Sequence, residues 1–284
     1  MKSIKHLIKQ LSHKKGGNIT FEQMNDLDMK NWKTSTADVT EKGLWTTPGV
    51  TFDKYLLEND SRFDAFPSKA LIKNHHGIFI PHIPYQMVRR YAKKGETVWD
   101  PFAGTGTTID VCNLLGINCI GSDLLIKRPD VKKGDAKTFD PGQNVQMLIA
   151  HPPYADIVPY NAGPEDLSNH AWKQFLVEWD TCVRNFDKYL DPGRMFILVC
   201  GDLYNGGQFV PLGYKTAEIV ASLGYVYKGH IVKDYGETKG GWKQRAQLER
   251  FRAIKGGYWK FAGDNIFILQ KNKKPLFRGV AINR

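Results

Sequence analysis

TVWDPFAGTGTTIDVCNLLGINCIGSD, residues 97 to 123, decides how this chain folds. Thr97 to Asp100 is a short apolar run that reads as a buried strand. A Gly-rich turn follows, and then a helical stretch from Thr108 to Leu115. NCIGSD reads as a second strand ending at Asp123. Strand, turn, helix and strand in that order form the repeating unit of a parallel sheet. The alternation continues on both sides. A helix is expected from Pro84 to Tyr91, with Met87, Val88 and Tyr91 on one face. VQMLIA (Val145 to Ala150) is a buried strand running up to His151. Trp172, Phe175, Leu176, Trp179, Cys182, Val183, Phe186 and Leu190 recur at helical spacing, and the DPG of residues 191 to 193 is expected to end that helix. MFILVC, a helix from Lys215 to Leu223, YVYKGHIV and NIFILQ complete the series. The fold class expected is α/β, a doubly wound and mostly parallel sheet. Ligands of such sheets bind beyond the carboxyl ends of the strands, which singles out Asp100, Asp123, His151 and Cys200.

The turn DPFAGTGTT (Asp100 to Thr108) sits between a strand and a helix, where a glycine-rich nucleotide loop belongs. Gly104 and Gly106 let the backbone turn tightly and approach a ligand with no side chain between. Thr107 stands where a dinucleotide fingerprint would run on toward a third glycine, which weakens a dehydrogenase reading. A P-loop is excluded because no Lys-Ser or Lys-Thr pair follows the second glycine. Asp123, seventeen residues after Gly106, can accept hydrogen bonds from both hydroxyls of a ribose. Asp135, in KGDAKTF, falls after a third strand, placed to accept from an adenine amino group. The plainer alternative for both is a surface turn carboxylate.

Composition narrows the partners. Forty basic against twenty-nine acidic residues give a formal charge of +11. An excess of that size suits a polyanion, because a basic face gains affinity by releasing counterions from phosphates, although charge alone is equally compatible with a soluble basic protein. No stretch approaches the apolar length of a membrane span. The basic N-terminus MKSIKHLIKQLSHKK, with a helix expected near Ile4 to Leu11, lacks the apolar core of a secretion signal, so a soluble, cytoplasmic protein is expected. Cys112, Cys119, Cys182 and Cys200 form no CxxC pair and read as buried free thiols, with neither disulfides nor zinc. Residues 1–70 show no clear period and read as an N-terminal extension. Residues 71–284 form the α/β domain, with a basic loop over 233–262.

DPFAGTGTT resembles the first motif of the amino-directed DNA methyltransferases, Asp-Pro-Phe-x-Gly-x-Gly-Thr-Thr, and HPPY (His151 to Tyr154) resembles their second, Asp/Asn/Ser-Pro-Pro-Tyr/Phe. The likeness extends from about Gly77 to Asn272. It implies a Rossmann-like class I methyltransferase with a seven-stranded sheet and S-adenosyl-L-methionine as cofactor. By that resemblance Asp100, Pro101, Phe102, Ala103, Gly104, Gly106, Thr107, Thr108, Asp123 and Asp135 hold the cofactor. Pro81, Ile83 and Pro84, in IPHIPYQMVRRYAKKGETVW, would line its methionine end, and Phe102 would sit near the sulfonium, a cation that suits an aromatic face.

The second motif is intelligible as chemistry. An aromatic amino nitrogen is a poor nucleophile because its lone pair is delocalised into the ring. Acceptors that take both amino protons draw that lone pair out of conjugation and aim it at the methyl group. In the family, one acceptor is the motif's first side chain and another is the carbonyl of the adjacent proline. Here these are His151 and Pro152, with Pro153 stiffening the loop and Tyr154 stacking on a flipped base. His151 stands where the family has Asp, Asn or Ser. Neutral imidazole offers one acceptor nitrogen and imidazolium none, so methylation should fall as pH drops through roughly 6.5 if the ring is unperturbed. A flat rate down to about pH 5 would refute that role. ADIVPYNAGPEDLS reads as a mobile loop closing over the base, with Tyr160 a second stacking candidate, and Asp202 in VCGDLYNGG either lines the base pocket or sits in a plain turn.

Between the last two strands, KDYGETKGGWKQRAQLERFRAIKGGYWK carries eight Lys or Arg among aromatic residues. Lys239, Trp242, Lys243, Arg245, Arg250 and Arg252 are the expected nucleic-acid contacts, with the N-terminal extension as a second recognition element. Adenine N6 is the favoured target and cytosine N4 the alternative. An RNA amino-methyltransferase and a catalytically inactive nucleic-acid-binding protein remain further readings. The resemblance implies double-stranded DNA as substrate, a prokaryotic or phage source, no metal and no membrane, and admits a homodimer and a cognate restriction enzyme as partners.

Overall fold

The computed structural model describes residues 44–45, 63, 65–71, 80–234, 254–257 and 263–272. The helix expected near Ile4, nearly all of the extension over 1–70, and the contacts expected at Lys239, Trp242, Lys243, Arg245, Arg250 and Arg252 lie outside them.

In chain order the elements are β1 (Leu44–Trp45), α1 (Pro67–Leu71), α2 (His82–Tyr91), β2 (Thr97–Asp100), α3 (Thr107–Leu115), β3 (Asn118–Asp123), β4 (Val131–Lys133) and β5 (Val145–Ala150). Two short 3-10 turns, Ala155–Ile157 and Leu167–Asn169, precede α4 (Trp172–Tyr189). Then come β6 (Leu190–Gly201), β7 (Leu203–Asn205), β8 (Gln208–Val210), α5 (Leu212–Ser222), β9 (Tyr225–Asp234) and β10 (Gly263–Lys271). The main sheet runs β1-β9-β10-β6-β5-β2-β3-β4. Its β4-β3-β2-β5-β6 portion is parallel, whereas β10 lies antiparallel between β6 and β9. These are the seven strands read from the sequence, and the two residues of β1 add an eighth, parallel to β9. Two residues are too few to show a period, which is why β1 was not legible.

The central strands β2, β5, β6 and β10 are buried on both faces, and alternate residues feed two separate cores. Trp99, Leu148, Ala150, Phe196, Leu198, Cys200, Phe267 and Leu269 face α4 and α5. Val98, Met147, Ile149, Met195, Ile197, Val199, Ile266 and Ile268 face α2 and α3. That split makes the sheet doubly wound. Helix α4 buries Phe175, Trp179, Cys182, Val183 and Phe186 along one side, as its spacing predicts. Trp179 is fully buried and its indole N–H donates to the Thr216 carbonyl at 3.1 Å. Removing that ring would cost about 3–5 kcal/mol.

One reading needs correction, and one element is new. DPG does not separate α4 from the next strand: Leu190 already pairs with Val145, and residues 191–194 bulge out before pairing resumes at Met195. Asn144 and Gln146 donate to the two Asp191 oxygens at 2.9 and 2.8 Å, which draws the segment into the sheet. The LYNGGQFV run is a hairpin, β7-β8, turning through Gly206 (φ 56°) and Gly207 (φ 81°). Two successive positive φ values are what a two-residue hairpin turn requires, and only glycine supplies both without strain. All four cysteines are free, with Cys112, Cys182 and Cys200 buried and Cys119 half-buried.

Candidate active site

Strands β2 and β5 are neighbours, parallel, with Val98 opposite Met147 and Trp99 opposite Leu148. The turn after Asp100 and the turn after Ala150 therefore leave the same edge of the sheet side by side. Two motifs that lie about fifty residues apart in sequence become one site through a single strand pairing.

The first turn is held from within. Asp100, 2% exposed, accepts from the Thr108 hydroxyl at 2.6 Å and from the Phe102 N–H at 3.0 Å, tying strand, turn and helix together. Burial pushes its carboxyl up to about 7, against the pull of those two hydrogen bonds. Ala103 N–H donates to the Ser122 carbonyl at 3.0 Å, and Gly104 N–H to Asp123 Oδ2 at 2.8 Å, so the turn is laced to the end of β3. Leu125 N–H donates to the other Asp123 oxygen at 2.9 Å. Burial raises the Asp123 carboxyl, while the two N–H donors and Lys127 oppose the rise. Gly104 and Gly106 have φ of 52° and 84°. A Cβ on Gly106 would come within 2.8 Å of the Arg128 side chain. Arg128 braces the turn from behind, donating to Asp110 at 2.7 Å and to the Thr105 carbonyl at 3.3 Å. Pro101, Ala103, Thr107 and Thr108 are buried. Phe102 packs against Trp179 and Phe186, with ring centroids 6.1 and 6.2 Å away. Pro81 begins α2, and Ile83 is buried in the core beneath it.

The second turn is held from afar. His151 Nε2 lies 2.8 Å from Tyr154 Oη, which donates to Asp264 Oδ1 at 3.0 Å. Asp264, from β10, pairs through its other oxygen with Lys233 Nζ of β9 at 3.5 Å. The Tyr154 ring lies against the end of β6, where a Cβ on Gly201 would meet its Cε2 at 2.6 Å. Pro152 is buried, while His151, Pro153 and Tyr154 are half-buried. Ala155, just past the motif, is fully buried at φ 53°, a left-handed conformation uncommon for alanine. Asp202 does not end in a bare turn: Gly213 N–H and the Asn265 amide donate to its two oxygens at 2.9 and 3.0 Å, anchoring α5 to β10.

The segment after HPPY is tied over the end of the sheet. Asp166, 2% exposed, accepts from the Ser168 and Ala162 N–H groups, and Tyr160 N–H donates to Ser168 Oγ at 3.1 Å. Burial raises the Tyr160 hydroxyl, and the nearby Asp166 and Asp123 carboxylates raise it further. Lys137 Nζ meets Glu165 at 2.7 Å, Glu178 at 3.3 Å and Asp135 at 3.8 Å. Three carboxylates thus converge on one ammonium, so the loop expected to be mobile is cross-linked to the turn after β4 and to α4. Asp135 also accepts from the Lys137 N–H at 2.9 Å. Asp264, Gly201 and Lys137 had no signal in the sequence, since each acts on a residue far along the chain.

Residues 3–129 match the family described as DNA methylase. The chain is 37% identical over 140 residues to the type II methyltransferase M.MjaII of Methanocaldococcus jannaschii, covering 47% of this chain and 25% of that protein. Over less than half of its length, then, the chain is similar to DNA methylases. The match to this family starts at residue 3, well ahead of Gly77 where the likeness in motifs begins, and takes in DPFAGTGTT but stops before HPPY. The chain spans about a quarter of the length of the relative it matches. Among solved structures, TrmN from Thermus thermophilus is 18% identical with a TM-score of 0.47, covering 73% of this chain and 52% of that one. The O-methyltransferase from a trans-AT PKS multienzyme of Brevibacillus brevis, in complex with S-adenosyl-L-homocysteine, is 12% identical with a TM-score of 0.46, covering 79% and 81%. Likenesses this distant carry neither fold nor substrate, and the architecture rests on the strand pairings themselves. Among the described residues no helix is long and apolar enough to cross a membrane, and no cluster of three metal-ligating side chains occurs.

Proposed function

We propose that this chain is an S-adenosyl-L-methionine-dependent methyltransferase acting on an exocyclic amino group of a DNA base, with adenine N6 the favoured target and cytosine N4 the alternative. The observation that carries the reading is the pairing of β2 with β5, which brings the glycine turn and the diproline turn to one edge. The residues of the first turn fit a nucleoside ligand. A carboxylate stands at the end of β3, each of its oxygens accepting one N–H and retaining a second lone pair for a ribose diol. Two glycines of positive φ keep side chains off the turn, and Asp135 stands two residues beyond the end of β4.

When bound, the cofactor supplies a methyl group on a sulfonium, an electrophile that needs neither metal nor covalent intermediate. His151 and the Pro152 carbonyl accept the two amino protons and bring the nitrogen lone pair out of the ring. Tyr154 flanks the flipped base. With the amino group held this way, methyl transfer would leave the C–S electron pair on sulfur, and the proton lost from nitrogen would pass to the His151 imidazole and on to solvent. Dimerisation and a restriction partner belong to the same reading as expectations. The test is to incubate the chain with unmethylated genomic DNA and isotope-labelled cofactor, digest, and identify the labelled nucleoside by mass spectrometry. N6-methyladenine is expected, N4-methylcytosine would select the alternative, and label in RNA but not DNA would overturn the substrate assignment.

A further inference from the structure

The departure of His151 from the family's Asp, Asn or Ser raises a problem those residues do not have. A carboxylate, amide oxygen or hydroxyl always presents a lone pair, whereas a neutral imidazole presents one only on whichever nitrogen lacks the proton. The ring must be held in one tautomer to serve as an acceptor at a defined place. The structure assigns that task to a relay that begins at Asp264, 110 residues beyond Tyr154 at the start of β10. This inference rests on the methyltransferase reading and deepens it.

The assignment follows from counting protons. Asp264 is paired with Lys233 Nζ at 3.5 Å, and a carboxylate can only accept. Tyr154 Oη has one proton and gives it to Asp264 Oδ1 at 3.0 Å. Toward His151, 2.8 Å away, the same oxygen therefore acts as acceptor, so the proton lies on Nε2 of the imidazole. The lone pair is then on Nδ1, the nitrogen that accepts the amino proton. Gly201 holds the tyrosine in register, because its lack of a side chain lets the ring lie against the strand end beside Asp264. Asp264 is thus a positioning residue. It does not touch the base, yet it sets which nitrogen of His151 can accept.

The relay makes a reversible prediction. In Asp264→Asn, Lys233 draws the amide oxygen to its side, which leaves the NH2 facing Tyr154. The tyrosine hydroxyl then accepts from the amide and donates to His151 Nε2, moving the ring proton to Nδ1. In full-length chain labelled with 15N-histidine, two-bond 1H–15N spectra distinguish the tautomers, with the His151 signal identified by its loss in His151→Asn. The expected result is the Nε2–H tautomer in the wild type and Nδ1–H in Asp264→Asn. The same tautomer in both, or Nδ1–H in the wild type, would overturn the relay. This readout needs no methyl transfer, so it is decided separately from the activity itself. On DNA, Asp264→Asn and Tyr154→Phe should each lower kcat about tenfold, the worth of one misdirected hydrogen bond, with the cofactor KM unchanged. In a His151→Asn background, where an amide oxygen has no tautomer to set, Asp264→Asn should lower kcat no further. An equal loss in both backgrounds would mean that Asp264 only supports the fold.

Discussion

The two turns at the sheet edge are built in opposite ways. The glycine turn is secured by residues close by in sequence: Asp100 by Thr108 and Phe102, and Gly104 by Asp123, all within nineteen positions. The diproline turn is secured by residues its own segment does not contain: Asp264 on β10, Lys233 on β9 and Gly201 on β6. A turn made of local contacts forms with the strand-turn-helix unit that carries it. A turn made of distant contacts is completed only when the antiparallel end of the sheet has assembled. Binding and catalysis should therefore fail separately, each in answer to different parts of the chain.

The sharpest way to break this contrast is Gly201→Ala. The added Cβ would stand 2.6 Å from the Tyr154 ring and 3.0 Å from Asp264 Oδ1, inside contact distance, so the ring must move. Displacing a positioning group by an ångström can cost about a hundredfold, and kcat should fall by that order while cofactor affinity measured by calorimetry stays level. An unchanged kcat would show that the tyrosine's seat is not needed, and a parallel loss of cofactor affinity would show that the two turns are not independent.

How much of this was legible follows from the same contrast. The strands TVWD, NCIGSD and VQMLIA were read with their observed ends, and α4 by its buried face, because apolar runs and helical spacing are local signals. The glycine turn was legible for the same reason. The hairpin through Gly206 and Gly207 carries a local signal as well, two successive glycines between short apolar runs. Asp264 is another matter. It opens an apolar strand like many charged residues that simply face water, and only the register of β10 against β6 sets it opposite Gly201 and beside Tyr154. Lys137 likewise sits in an ordinary basic stretch until folding brings Glu165 and Glu178 to it.

The glycine turn has its own test, through pH. Burial holds the Asp100 carboxyl up to about 7 in the folded chain, above its ordinary value of 3.8. The folded state thus binds this proton more tightly than the unfolded state does, and the group's contribution to stability shrinks as pH rises. Between pH 5 and 7 the loss should be about 2 kcal/mol, an order-of-magnitude figure for one buried group. Urea unfolding of the wild type and of Asp100→Asn at both pH values isolates the term, since the amide cannot titrate. A stability difference between the two proteins that does not change with pH would mean the carboxyl ionises normally.

Asp123→Ala probes the same turn for binding and should give a smaller effect. It removes the acceptor of the Gly104 N–H and the carboxylate offered to a ribose, so cofactor affinity should weaken about tenfold. With the cofactor saturating, kcat should stay within a fewfold, because His151 and Tyr154 are held from the other end of the sheet. A collapse of kcat at saturation would merge the two turns into one cooperative unit.

The smallest effect is expected where the second turn carries a local strain. Ala155 is fully buried at φ 53°, directly after the two prolines and Tyr154. Glycine reaches this conformation without steric cost, which relieves about 1 kcal/mol. It also gives the unfolded chain more freedom, at a cost of about 0.5–1 kcal/mol, and leaves a methyl-sized gap in the core. These terms nearly cancel, so Ala155→Gly should change folding stability by less than about 1 kcal/mol. Its effect on kcat should be a few-fold loss at most, since Asp264 and Gly201 still hold Tyr154 from outside the turn. A loss as large as that of Gly201→Ala would assign the turn's rigidity to its own backbone, and the long-range construction argued for it would be wrong.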